Sequence, residues 1–192
     1  MVTGELHVRL AASLLLLAAA TAQVPLSLGG ATPGIGIAQL RAILHGNLHC
    51  AAPRAPLLPA DETDIDCMRP GDLVRSGLYA GTAGGQPIHF VYRFRHGRLG
   101  SIVVLGIKPE AYAAVLAALV EKFGTPEKIG NVPVKPLSSN AIEVPMDTWT
   151  RGGNQLGLRR VAALHQGAGL WLVAQWYMED SRRSEQLSRQ GK

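Results

Sequence analysis

The sequence predicts an α+β domain: an antiparallel sheet with two helices packed on one face, a two-half helix–hairpin pseudo-repeat and one disulfide. Three observations predict it. Ile88, Phe90, Tyr92 and Phe94 alternate with His89, Val91, Arg93 and Arg95 up to a His96-Gly97 turn, the period-two mark of a hairpin strand. Pro109 to Gly124 carries the stripe and end signals of an amphipathic helix. After it come three apolar stretches separated by Gly-rich turns. Consecutive antiparallel strands with few helices make a layered α+β domain.

Met1 to Arg9 is a short polar start that ends in a positive charge, and Leu10 to Ala20 is a run of Leu, Ala and Ser. Ala20-Thr21-Ala22 is a small-x-small site. This three-part pattern predicts a signal peptide over 1–22, cleaved near Ala22. The apolar stretch falls short of the roughly 20 residues that span a bilayer. The chain is therefore expected in the periplasm or outside the cell, with no integral membrane segment after cleavage. Residues 23–180 are read as a single domain and 181–192 as a polar tail.

Val24 to Leu28 reads as a short strand. Ile37, Leu40, Ile43 and Leu44 recur at helical spacing, with Gly36 to cap the start and Gly46 the end. Gly34-Ile35-Gly36 is no dinucleotide loop, because position 39 is Gln and not the third Gly. Cys50 and Cys67 are the only cysteines, an even pair in an exported chain, and predict a disulfide. It closes a loop of about 18 residues rich in Pro and acids, worth roughly 3 kcal/mol in the chain-entropy picture. Leu99 to Ile107 continues the hairpin as a strand apolar on both faces.

Lys108-Pro109-Glu110 opens the second helix. Its stripe is Tyr112, Val115, Leu116, Leu119, Val120 and Phe123, and Gly124 and Pro126 end it. Residues 125–140 read as a connecting loop. Strands are expected at Ile142–Arg151, Gln155–Leu164 and Leu170–Met178, the last with Trp171 and Tyr177 on one face. The polar stretch from Asp180 has the composition of a frayed helix. Each half runs helix, loop, hairpin, and the Phe94–Leu99 hairpin is matched to the one at Trp149–Gly153.

These motifs resemble a broad group of small exported bacterial proteins. The residues that carry the resemblance are the Gly36-Ile37-Ala38-Gln39-Leu40 helix start, the Cys-bridged loop, the Tyr92–Leu99 hairpin, the helix end Glu121–Pro126, and Trp149 before a second hairpin. The architecture is similar to the β-lactamase-inhibitor-protein and small outer-membrane-assembly lipoprotein folds. That resemblance implies a module that binds proteins. The acylated Cys of the lipoproteins is missing here.

The formal charge is +5, spread along the chain; with export, it argues against nucleic acid. Arginines such as Arg93 and Arg95 are read as solvated strand edges that also attract an anionic partner. No Gly-x-Ser-x-Gly is present, and no serine, histidine and acid are grouped as a triad requires. Asp61, Glu62, Asp64 and Asp66 lack the central Gly of a calcium loop and read as solvated. His45 and His49, with Cys50 and Cys67, are an alternative metal set, though Gly46-Asn47 interrupts the helix between them. No cofactor is expected. The leading expectation is a non-catalytic protein- or envelope-binding module that uses Trp171, Tyr177 and Trp149 with Arg93 and Arg95; its partner is expected to be an envelope protein. The alternative is an envelope hydrolase or metal-binding protein using His45 and His49.

Overall fold

The computed structural model describes residues 24–45, 48–52, 64–79, 85–134, 142–160 and 168–190. The expected signal peptide, Gly46, and most of the loop between the cysteines lie outside them. Helix α1 (Ile37–Leu44) precedes strands β1 (His49–Ala51), β2 (Ile65–Asp72), β3 (Pro87–Arg95) and β4 (Arg98–Ile107). A 3-10 turn (Pro109–Ala111) leads into α2 (Tyr112–Phe123). Strands β5 (Lys128–Val134), β6 (Ile142–Arg151), β7 (Asn154–Arg159) and β8 (Ala168–Ala174) follow, and α3 (Gln175–Gln190) ends the described chain.

The strands form one eight-stranded antiparallel sheet in the order β1-β2-β3-β4-β8-β7-β6-β5. From either edge the order is four strands in chain sequence, meeting at the β4–β8 pair. The sequence matched the hairpin at His96-Gly97 to the one at Gly152-Gly153. Counted from the edges, these are the third-to-fourth and second-to-third connections, so the match is one strand out of step. Both turns are tight because both residues of each take positive φ: 50° and 74° at 96–97, 55° and 72° at 152–153.

Alternation assigns the faces. Phe90, Tyr92, Phe94, Ile102, Val104, Leu156, Leu158, Leu170 and Leu172 are buried in one cluster with Leu40 and Leu44 of α1 and Val115, Leu119 and Phe123 of α2. The intervening residues point to the other face. Cys50 and Cys67 stand directly opposite each other on β1 and β2 and are joined by a disulfide. Leu26, Leu28 and Ala31 are buried too, but the expected Val24–Leu28 strand is only an isolated Leu28–Ala31 bridge. His45, at φ 50°, takes the left-handed position that ends α1, one residue before the expected Gly46.

Other segments also differ from expectation. The 125–140 loop contains β5, a strand the sequence hides because Gly130 and Pro133 dilute its pattern. The eight residues of β2 include Pro70 and Gly71, which conceal it for the same reason. The last strand stops at Ala174, four residues early. Trp176, Tyr177 and Met178 open α3 instead. Two-residue alternation of apolar groups cannot separate these readings over so short a run.

Candidate functional site

Helix α3 packs on the face of the sheet opposite α1 and α2. Tyr177 lies fully buried with Val173 and Ala174, beside half-buried Trp171, Trp176 and Met178. A bulge makes room for it. Arg93 pairs with Ser101 and Phe94 with Leu99, so Gly100 is the extra residue of β4. A Cβ at Gly100 would lie 2.1 Å from the Tyr177 ring. The Arg95 guanidinium sits 4.5 Å from the centroid of the same ring.

Arg95 donates to both carboxylate oxygens of Asp64, at 2.7 and 2.8 Å, and to Asp180 and Ser181 of α3, each at 3.1 Å. Arg93 makes the equivalent two-pronged contact to Asp66, at 2.6 and 2.5 Å. The hydrogen-bonded Asp64 carboxylate raises the Arg95 pKa above its ordinary value, against the pull of burial. Arg93 and Arg95 are therefore not solvated edges, and Asp64 and Asp66 are not a solvated run. Each arginine is buried because the neighbouring segment supplies a matched carboxylate: Asp66 stands directly opposite Arg93 on β2, and Asp64, just before β2, meets Arg95.

Trp149 is also taken out of any recognition role. It is fully buried, and its Nε1–H donates to the Gly124 carbonyl at 2.7 Å, closing the end of α2. Tyr177 is buried under α3 and not displayed beside Trp171 on a strand. His45 and His49 are both exposed, and no group of three metal-ligating side chains occurs among the described residues.

Trp171 lies on the part of the face beside α3. The strand register lines up Met68, Val91, Val103, Trp171, Gly157 and Thr148 as one row across β2, β3, β4, β8, β7 and β6. Trp171 packs at the margin of the α3 cluster, and along the row Met68 is exposed while Val91, Gly157 and Thr148 are buried. Met68 is 44% exposed, and Leu105, opposite exposed His89, is 41% exposed. The Trp171 ring lies flat over β7. A Cβ at Gly157 would fall 2.3 Å from the ring, so glycine is what lets the ring descend.

Arg159, two residues on, sits with its guanidinium 5.6 Å from the Trp171 centroid. Its Nε is buried with no hydrogen-bond partner, and burial alone lowers its pKa. The Oγ1 of Thr148 is likewise buried and unpartnered. At the other end of the sheet, a shallow polar recess of about 240 Å³ lies between the β6–β7 turn and α3; Asn154, Gln155, Gln175 and Arg182 are among its lining residues.

No protein-family model, curated protein or solved structure matches this chain. Sequence reasoning missed Met68, Leu105, Arg159 and Thr148. One signal was present: Gly157 between Leu156 and Leu158 marks a close approach inside a strand. What approaches it depends on the β7–β8 register, which local pattern does not supply.

Proposed function

We propose that this protein is an exported, non-catalytic binding module of the bacterial envelope, and that it receives a partner protein on the open part of its sheet. The observation that supports this most is the row from Met68 to Trp171. It runs from exposed Met68 past Val91 and Val103 to a half-buried tryptophan, with exposed Leu105 two residues along β4, on the part of the face beside α3. Apolar surface of this kind, rimmed by His89 and Arg159, is what protein interfaces use at their centre. Export is the reading of residues 1–22, and the Cys50–Cys67 disulfide is the structural feature that suits it. Among the described residues, no helix is long and apolar enough to cross a membrane. The resemblance to inhibitor-protein and assembly-lipoprotein folds belongs to the same proposal, as a shared use of a sheet to bind another protein.

The test is site-specific photocrosslinking in cells that export the chain. A crosslinking residue at Leu105 or Met68 is expected to give a discrete protein adduct. The same residue at Ala117, exposed on α2, is expected to give none. Equal labelling from both faces, or none from Leu105 and Met68, would remove this reading.

A further inference from the structure

We infer that Arg159, Trp171 and Thr148 form a carboxylate-binding subsite on the open sheet face, which takes an Asp or Glu side chain of the partner protein. The inference rests on the binding reading above and gives the partner its chemistry. Three arginines point to this face of the sheet from its strands β3 and β7, and two of them are satisfied within the chain. Arg93 holds Asp66 and Arg95 holds Asp64. Arg159 makes no ion pair among the described residues, and its Nε is buried without an acceptor. No Asp or Glu occupies this face of β6, β7 or β8. The adjoining residues 161–167, Val-Ala-Ala-Leu-His-Gln-Gly, contain none either. A part-buried cation without a counter-charge destabilises a fold unless a ligand supplies that charge.

The surroundings select the ligand. The Trp171 ring holds the guanidinium by its face, which leaves the in-plane N–H groups for a planar, two-oxygen acceptor. Thr148, opposite Gly157 on the next strand, adds an unpaired hydroxyl that can donate to one oxygen. One guanidinium and one hydroxyl match a singly charged carboxylate. A phosphate carries more charge and is usually met by several cations. The apolar row continues from Trp171 through Val103 and Val91 to Met68, so the acid would be flanked by apolar partner residues.

The experiment uses the disulfide-bonded full chain, labelled with ¹⁵N. The Arg159 Nε–Hε and Trp171 indole signals are followed during titration with capped Leu-Glu-Leu, its Leu-Gln-Leu twin, inorganic phosphate, and phosphatidylglycerol vesicles. Saturable shifts of both signals with the Glu peptide alone are expected. Arg159→Lys should weaken binding about tenfold, since an ammonium cannot make the two-pronged contact. Arg159→Met should abolish binding while keeping or raising the Tm, as removal of an unpaired part-buried cation predicts. Shifts as large with the Gln twin, shifts only with phosphate or vesicles, or no shift at all would overturn the subsite. If Leu105 crosslinks persist in that case, the binding face stands and only its acidic partner chemistry falls. If the crosslinks are absent too, both fall.

Discussion

Arg95 has no exposed side-chain surface, and neither has its partner Asp64. Two charges removed from water are tolerable only when each meets the other with good geometry, and here both oxygens of Asp64 are engaged. Removing one partner leaves the other charge stranded. Arg95→Met and Asp64→Asn should each lower the unfolding free energy by about 3–5 kcal/mol, measured by urea denaturation. The double variant Arg95→Met/Asp64→Asn should lose less than the two singles together. A double variant that loses the sum of the two would show that the pair does not act as a unit. The pairing had a trace in the sequence: Asp64-x-Asp66 and Arg93-x-Arg95 have the same two-residue spacing. Matching them requires knowing that β2 lies antiparallel to β3 with Asp66 opposite Arg93, a register set by packing of the Cys67–Tyr92 side of the sheet.

At the scale of elements, α2 was legible throughout, and α3 only in the polar part from Asp180 on. Helix α2 declares itself through Pro109, the Tyr112–Phe123 stripe and Gly124, all local signals. Helix α3 begins inside an apolar run continuous with β8, and its later turns are polar. Its position is decided by one seat, the Tyr177 ring over Gly100, and by the hydrogen bonds from Arg95 to Asp180 and Ser181. Gly100→Val should push the ring out and release the helix, because the new side chain would overlap it. Limited trypsin digestion reads this through the exposed bonds after Arg182 and Arg183. Cleavage there should be about tenfold faster than in the parent, equivalent to roughly 1.4 kcal/mol of lost docking. An unchanged rate would mean that α3 is held elsewhere. Strand β5 was missed for the converse reason. As an edge strand it carries Gly130 and Pro133, residues that weaken a strand pattern while discouraging further strand pairing.

Over the whole molecule, the sheet ends at one side in a strand of only three residues, β1, paired to β2 through His49–Met68, Cys50–Cys67 and Ala51–Asp66. So short an edge gains little from its ladder, and the covalent bond at its middle residue holds it. Cys50→Ser/Cys67→Ala should lower stability by about 3 kcal/mol in a denaturant series, the loop-closure entropy of a segment this long. An unchanged midpoint would show that the edge strand holds without its bond. The sequence by itself determined the covalent tie, the β3–β4 hairpin, helix α2 and the class of fold, because each depends on residues within one or two turns of chain or on the count of cysteines. Tertiary structure alone decided that Trp149, Tyr177, Arg93 and Arg95 are internal, that α3 covers one end of the sheet, and that Trp171, Gly157, Thr148 and Arg159 meet. Those outcomes depend on which strands become neighbours and in what register. Burial across a sheet is a sum over contacts between distant segments, and no local window of sequence contains that sum.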